Sequence, residues 1–332
     1  MASYIRRRKF LATLGGAAVA WPLGARAQQG PMPVVGFVSG RSPEEATRAA
    51  TPFRNGLNAT GYIEGQNVTV EYHWLAGRYE SLPSVMADLV HRRVSVIATP
   101  GSTPAALAAK SATSTIPIVF GVGEDPVRIG LVASLARPGG NATGVNFFVQ
   151  ELVAKRLGLL HELLPKAMQI AVLVNPANTA TADSTLRDLP EAARAAGLQF
   201  RVLKASTNRE IEAAFANIVR DPADALFVAP DGFFTSRRAQ FVTLAARDRI
   251  PAAYVNREIV AAGGLMSYGT DPADRLRQVG IYTGKILNGA KPAELPVVQS
   301  TKFEFVINLQ TAKLLGIEVP ETLVATADEV IK

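Results

Sequence analysis

Short apolar runs alternate with segments of helical spacing along most of the chain, and this alternation limits the possible folds more than any other feature. A first series predicts strands at 34–38, 68–74, 94–98, 116–120 and 142–145, with turns and helical segments between them. Strands that alternate with helices over such a length form βαβ units, in which a parallel sheet carries helices on both faces. The first half of the chain is therefore predicted to form one doubly wound α/β lobe.

The same alternation starts again near residue 150. A second series predicts strands at 170–174, 200–203, 225–228 and 252–255, and helical segments again separate them. With 332 residues, the chain is long enough for two cores. We infer a second lobe with the same architecture as the first.

The tail does not continue this pattern. It holds a glycine-rich stretch at 263–269, one helix at 272–287, an extended stretch at 296–307 and a short helix at 309–315. These elements are too few for a third domain, so we expect them to complete the two lobes and to cross between them. With the connection near 147–150, three linkers would join the lobes and form a hinge that permits closure around a ligand.

The predicted fold class is thus α/β, with two doubly wound parallel-sheet lobes joined by a three-segment hinge. Lobe 1 is predicted to comprise 32–147 plus 268–290, and lobe 2 to comprise 148–267 plus 296–330. Residues 1–27 lie outside both lobes.

The first 27 residues have the features of an export signal. They contain five basic residues and no acidic one, followed by a modestly apolar run and the small-residue site Ala25-Arg26-Ala27. Arg7-Arg8 before Phe10-Leu11 resembles a twin-arginine signal, and the apolar run is too short and too interrupted for a stable membrane span. We expect cleavage after Ala27 and a periplasmic location.

The net charge of +7 depends on this segment. Without its five basic residues, 30 basic groups face 28 acidic groups, from totals of 35 and 28, so the rest of the chain is nearly neutral. A nearly neutral surface does not favour nucleic acid as a partner. The absence of cysteine excludes disulfides, thiol nucleophiles and thiolate metal sites.

The stretch 116–131 combines a buried strand, a flexible turn and a helix start, and we interpret it as one wall of a ligand cleft. Gly121 and Gly123 allow a sharp turn and a close approach to a ligand. Asp125 before Pro126 fits an N-cap followed by proline at the first helical position, which predicts a helix from there. In open α/β sheets, ligands bind outside the carboxyl ends of the strands, where such turns lie. The alternative is an ordinary strand-to-helix connection without a ligand.

The other strand ends offer polar and aromatic side chains suited to binding. Hydroxyls near a helix N-terminus, such as those of Ser102 and Thr103, suit an anion. Asp125 and Asp231 could face an ammonium group, and Phe147, Phe233 and Tyr268 could stack on an apolar group. Asn175 and Asp231 fit helix caps equally well, and Trp74 fits the core. The predicted ligand-binding residues are Ser39, Trp74, Ser102, Thr103, Asp125, Asn146, Phe147, Asn175, Asp231, Phe233 and Tyr268.

The sequence offers little support for catalysis. His73, His91 and His161 fall within a predicted strand, at a helix end and within a helix, so none lies in a predicted site turn. The nucleophile elbow, the phosphate-binding loop and the zinc-binding His-Glu-x-x-His motif are all missing from the sequence. We therefore expect no catalytic residue, no metal and no cofactor.

Five motifs occur in an order that is fairly specific. They are RRRKF with ARAQ near the N-terminus, GYIEGQNV at 61–68, IPIVF at 116–120 with Asp125-Pro126, RPGGNATG at 137–144 and GGLMSYG at 263–269. Together they resemble the ABC-transporter substrate-binding family that includes tryptophan-binding, TrpX-like proteins. The resemblance implies a type I periplasmic-binding-protein fold, capture of a small-molecule ligand between two lobes, and delivery to a membrane permease and its ATPase.

Position by position, the resemblance supports binding roles for Asp125, Asn146, Asp231 and Tyr268. Two stretches depart from amino-acid-binding members: NPAN at 175–178 replaces a hydroxyl-rich turn, and DGFF at 231–234 replaces Asp with a small polar pair. These departures leave a bulkier or aromatic acid open as the ligand.

We therefore expect a monomeric, periplasmic solute-binding component of an ABC importer for a small amino-acid-like or aromatic carboxylate ligand. The alternative is an exported enzyme on the same two-lobe scaffold, because a fold alone does not determine function. A sugar-repressor-like regulator would need a DNA-reading helix pair where this chain has an export signal.

Overall fold

The computed structural model describes residues 32–147 and 149–332. The predicted export signal and its cleavage site lie outside the described residues. Over the described ranges, no helix combines the length and apolar character that crossing a bilayer requires.

The described residues form thirteen strands in two sheets. In chain order they are β1 (Val34–Ser39), β2 (Thr69–Trp74), β3 (Val96–Pro100), β4 (Ile118–Val122), β5 (Ala142–Asn146), β6 (Gln169–Val174), β7 (Gln199–Lys204), β8 (Ala225–Val228), β9 (Ala252–Tyr254), β10 (Met266–Thr270), β11 (Val298–Gln299), β12 (Phe303–Asn308) and β13 (Glu329–Ile331). The nine strands predicted in the two series all form, with ends within two residues of their predicted positions.

Twelve α-helices connect or flank these strands in the described residues. They are α1 (Ala46–Asn58), α2 (Leu82–His91), α3 (Thr103–Ala112), α4 (Val149–Leu163), α5 (Thr179–Ala195), α6 (Asn208–Arg220), α7 (Gly232–Ser236), α8 (Arg238–Arg247), α9 (Arg257–Ala261), α10 (Pro272–Leu287), α11 (Leu309–Leu315) and α12 (Glu321–Thr326). Short 3-10 turns, Pro43–Glu45 and Tyr79–Ser81, precede α1 and α2.

Each sheet forms the centre of one lobe. The first sheet has the strand order β11-β5-β4-β3-β1-β2 and is parallel throughout; with α1, α2, α3 and α10 it is called lobe 1 below. The second sheet has the order β13-β12-β10-β9-β8-β6-β7, and its β10–β12 pair is antiparallel; with the remaining helices it is called lobe 2. Apolar clusters cover both faces of each sheet.

The chain passes between the sheets three times: from β5 to α4, from β10 to α10, and from β11 to β12. The predicted fold class of two doubly wound lobes with three linkers is confirmed. Residues 268–270 belong to β10 and so to the second sheet, whereas our division assigned them to lobe 1. The residue bounds of the lobes stay a prediction.

The helix predicted from Asp125-Pro126 does not form, and this prediction is wrong. Residues 126–130 make a turn, in which the Asp125 Oδ1 atom accepts from the Val127 nitrogen at 2.9 Å. The same cap geometry can stabilise either a single turn or the start of a helix. A helix extends beyond its first turn only where the following residues favour it. Here the turn ends at Gly130, whose φ is +77°.

Close packing of α10 against α1 positions one wall of the cleft. A Cβ atom at Gly56 would lie 2.1 Å from the Arg277 carbonyl oxygen, and one at Gly280 would lie 2.1 Å from the Phe53 carbonyl oxygen. Glycine at both positions therefore lets the two helix backbones touch. This contact holds the first turns of α10 beside the carboxyl ends of β3 and β4.

Candidate functional site

A cavity of about 70 Å³ lies between the lobes, at the carboxyl ends of their parallel strands. This volume is below the roughly 300–1,000 Å³ of typical small-molecule sites, so little free space remains between the lobes at this point. Its charged lining residues are Arg41, Glu124, Asp231 and Arg275. Glycines 101, 121 and 123 and the apolar side chains of Phe147, Leu152, Leu276 and Val279 supply much of the rest.

Three of the eleven predicted ligand-binding residues line this cavity: Thr103, Phe147 and Asp231. Three more support lining residues from behind. The Ser39 hydroxyl accepts from the Arg41 nitrogen at 3.3 Å, the Ser102 hydroxyl caps α3 by accepting from the Ala105 nitrogen, and Asn175 donates to Asp231.

The other five predicted residues lie elsewhere. Asn146 is buried at the end of β5, and Phe233 is buried in the core of lobe 2. Trp74 packs on the rings of Phe37 and Tyr72, and Tyr268 stacks on Phe303. Asp125 is exposed. Contact with a ligand stays a prediction for all eleven.

Glu124, the residue before Asp125, is the carboxylate that the turn after β4 directs into the cavity. It is only 2% exposed, and its two oxygens accept from one hydroxyl of each lobe: Thr103 at 2.5 Å and Thr181 at 2.6 Å. Among the described residues, no lysine or arginine forms an ion pair with it. A buried carboxylate that receives only neutral donors is well suited to a cationic group of a ligand.

Asp231 is also buried, but its carboxylate is fully engaged by protein donors. Its Oδ1 atom accepts from the Asn175 side chain and from the Phe233 and Phe234 nitrogens, at 2.9–3.2 Å. Its Oδ2 atom accepts from the Asn178 side chain at 3.0 Å and, across the cleft, from the Tyr79 hydroxyl at 3.1 Å. Burial raises the pKa of Asp231, and these donors oppose that shift. Asp231 therefore caps α7 and joins the lobes, and both of its oxygens already accept from protein donors.

Arg275, in the first turn of α10, supplies a cation beside the aromatic wall. Its guanidinium carbon lies 4.3 Å from the centroid of the Phe147 ring, which is a cation–π distance. Burial, with the nearby charge of Arg41, lowers the pKa of Arg275 to about 10, so the side chain stays charged at neutral pH. The Arg275 Nε atom is buried and has no acceptor among the described residues.

An ionic network closes one edge of the cleft. Arg41 of lobe 1 contacts Glu258 of lobe 2 at 3.2 Å and Glu45 at 3.6 Å, and Arg238 of lobe 2 contacts Glu45 at 2.5 Å. Glu45 is 3% exposed, so these charges are largely shielded from water. These four residues are called the cleft-edge network below.

The predicted ligand-binding residues do not include Glu124, Arg41 or Arg275, all of which line the cavity. Glu124 is the neighbour of Asp125, the residue that the sequence predicted. The two differ in the direction of their side chains: that of Glu124 lines the cavity, and that of Asp125 is exposed. Arg275 had a weaker signal: Asp271-Pro272 marks a helix start directly after the crossover, so the first turn of α10 had to begin near the cleft. In the described part of the chain, no cluster of histidine, aspartate and glutamate side chains could hold a metal ion.

Comparison with known proteins gives a consistent result. The sequence profile of the family described as ABC transporter substrate binding protein matches residues 32–331. A curated protein of Clostridioides difficile, named tyrosine-binding protein, is 28% identical over 273 residues, which are 82% of this chain and 77% of that protein.

Two solved structures share both fold and sequence with the chain. A conserved domain protein of Vibrio cholerae superposes with a TM-score of 0.82 at 28% identity, covering 90% of this chain and 100% of that one. An ABC domain of Streptococcus pneumoniae in complex with L-Trp gives a TM-score of 0.80 at 26% identity, covering 91% and 100%.

Proposed function

The chain belongs to the family of ABC transporter substrate binding proteins, and on that premise we propose that it captures an aromatic amino acid, or a similar aromatic carboxylate, between its lobes. One observation carries the proposal: a single interlobe cavity is lined by a carboxylate, a guanidinium and a phenyl ring, those of Glu124, Arg275 and Phe147. An aromatic amino acid offers an ammonium, a carboxylate and a ring that match these groups in turn.

The roles follow from the chemistry of each group. Glu124 accepts from the ligand ammonium, with Thr103 and Thr181 holding its oxygens. Arg275 binds the ligand carboxylate, and Phe147 packs on the aromatic ring. Two of the relatives above, one named a tyrosine-binding protein and one solved in complex with L-Trp, support this ligand class.

Closure is part of the proposed function. The cavity is smaller than a typical ligand site, so entry requires the lobes to separate about the three linkers and then to close on the ligand. Delivery to a membrane permease and its ATPase, and export to the periplasm by the N-terminal segment, belong to the same proposal.

Calorimetry and thermal unfolding with L-tyrosine, L-tryptophan and L-phenylalanine test the proposal. A ligand that binds only the folded chain stabilises it, by about 2.7 kcal/mol at a concentration 100 times its Kd. We expect at least one of the three to bind and to raise the unfolding temperature. Failure of all three, and of the matching acids without an amino group, would refute the proposal, and turnover of a bound ligand would favour an enzyme.

Glu45→Gln is expected to weaken closure. The change removes one charge from the cleft-edge network. In the closed form, Arg41 and Arg238 would then lack the carboxylate that they share, whereas the open form would lose less because its lobes are apart. Loss of one partner of a desolvated pair costs about 2–5 kcal/mol, so we expect the Kd for the bound amino acid to rise at least about tenfold. Small-angle scattering of the ligand-free variant should show a larger radius of gyration.

The matched control for this variant is Glu64→Gln. Glu64 pairs with Arg54 on the surface of lobe 1, away from the cleft, so its loss should leave both measurements unchanged. Equal effects of the two variants would show that the cleft-edge network does not hold the lobes together.

A further inference from the structure

Arg156, on α4, is a buried cation with no counter-ion in the part of the chain that the structure describes. Its side chain is 0% exposed, and its three guanidinium nitrogens have no hydrogen-bond acceptor among the described residues. The guanidinium lies over the face of the Phe227 ring, whose centroid is 4.1 Å from the guanidinium carbon. No carboxylate in the described ranges forms an ion pair with it.

An unpaired charge in this position is unfavourable for the protein. Removing a cation from water without hydrogen bonds or an opposite charge destabilises the folded state, and proteins normally pair or neutralise such a group. Burial lowers the pKa of Arg156 to about 9, which leaves the guanidinium charged at neutral pH. Folding of lobe 2 therefore does not by itself explain an arginine at this position.

Arg156 lies just beneath the floor of the cleft. Leu152, one helical turn earlier on the same face of α4, lines the cavity. Side chains on a helix lean toward its N-terminus, which here is the end at the cleft. Phe227 lies near the carboxyl end of β8, three residues before Pro230, which also lines the cavity.

The neighbouring helix adds polar groups in the same place. On α5, which packs against α4, Thr181 lines the cavity. Thr185, one turn further along α5, is buried, and its hydroxyl has no partner among the described residues. Helix α5 therefore brings one hydroxyl to the cavity and a second, buried hydroxyl one turn behind it.

We propose that Arg156 is a specificity-determining residue of the cleft, whose positive charge is balanced by the carboxylate of the bound ligand. This inference rests on the proposed function. Arg156 acts through the floor and does not require direct contact, whereas Arg275 lies in the cavity wall itself. The consequence is a cleft that selects carboxylates over neutral analogues of the same shape.

The expected effect is large enough to measure. At an effective dielectric constant of about 20, opposite charges about 8 Å apart attract strongly enough to change a Kd by roughly thirtyfold. A neutral ligand group at the same position would lose this attraction.

Arg156→Met tests the proposal, because methionine keeps much of the apolar stem and removes the charge. Binding of L-tyrosine and L-tyrosine amide, and of the tryptophan pair, is measured by calorimetry at mildly acidic pH, where all four probes carry the ammonium charge. We expect the Kd of the acids to rise about ten- to thirtyfold and that of the amides to stay within a factor of about two. The thermal unfolding temperature of the ligand-free variant should be unchanged or higher, since replacing a buried unpaired ion with an apolar side chain is neutral or stabilising.

Two further variants separate charge from packing. Leu160→Met changes packing one turn further along α4 without changing charge, and it should leave the acid-to-amide ratio as in the wild type. Arg156→Gln repeats the loss of charge with a smaller polar side chain and should reduce the ratio as Arg156→Met does.

Three outcomes would overturn the proposal. An unchanged acid-to-amide ratio in a folded Arg156→Met chain would show that the ligand does not sense this charge. An equal loss in Leu160→Met would indicate packing alone. Failure of both neutral variants to fold would show that the charge is compensated within lobe 2. Failure of the proposed function is distinguishable, because then the wild-type chain itself would bind none of the probes.

Discussion

Glu124→Gln is expected to raise the Kd for L-tyrosine or L-tryptophan by about 100-fold, the effect of removing one partner of a buried, hydrogen-bonded charge pair. The substitution keeps the shape of the side chain and its contacts with Thr103 and Thr181, but it replaces one oxygen with a donor and removes the charge. A ligand ammonium would then face a neutral amide in a site with little water. Calorimetric titration of the variant with both amino acids measures the loss.

Asp125→Asn is the matched control. It removes the same charge one position along, from an exposed side chain whose visible role is to cap the turn at 126–130. We expect a change in Kd of less than about twofold, because an exposed charge is screened by water and salt.

A ligand analogue provides a second check on Glu124. The tyrosine analogue without an amino group should bind Glu124→Gln as well as it binds the wild type, or better. An equal loss for analogue and amino acid would show that Glu124 supports the shape of the cleft and does not bind an ammonium.

Asp231→Ala is expected to lower the free energy of unfolding by about 3–5 kcal/mol. Five donors converge on this carboxylate, and alanine would leave the side-chain amides of Asn175 and Asn178 and the hydroxyl of Tyr79 buried without an acceptor. Each buried donor without a partner costs about 1–3 kcal/mol, and α7 also loses its N-cap. Urea unfolding followed by circular dichroism measures the difference.

Tyr79→Phe measures how much the hydrogen bond between Tyr79 of lobe 1 and Asp231 of lobe 2 contributes to the free energy of unfolding. This change removes one of the five donors and keeps the ring, so we expect a loss of only about 0.5–1.5 kcal/mol. If Asp231→Ala and Tyr79→Phe had equal effects on unfolding, the four donors from lobe 2 would contribute nothing, and the description of Asp231 as a structural hub would be wrong.

Glu124 and Asp231 both line the cleft, but we expect different roles for their carboxylates: ligand binding for Glu124 and stability of the fold for Asp231. Sequence reasoning left two roles open for Asp231, a partner for a ligand ammonium and a helix cap. The structure surrounds that carboxylate with protein donors and leaves Glu124 with hydroxyls alone. The phenyl rings of the DGFF stretch, Phe233 and Phe234, are buried in the core of lobe 2.

The fold was predictable because its signals are local. Runs such as 170–174 and 225–228 are apolar over the length of one strand, and a helix follows each of them. Right-handed crossovers then leave few topologies for such a pattern. At Asp125-Pro126 the local pattern predicted a helix, and that prediction was wrong. Asp125 does act as a cap, but it caps a single turn.

The sequence alone determined that the chain builds two α/β lobes with polar turns at the carboxyl ends of their strands, because strand and helix periodicity are properties of neighbouring residues. Only the tertiary structure decided which side chains line the cleft. The choice of Glu124 over Asp125 depends on a rotation of one residue in a turn. The approach of Arg41 and Arg275 depends on contacts between segments more than 200 residues apart, and the burial of Arg156 depends on packing against the distant Phe227. Burial and pairing are set by such distant neighbours, and they determine which charges of the cleft remain free for a ligand.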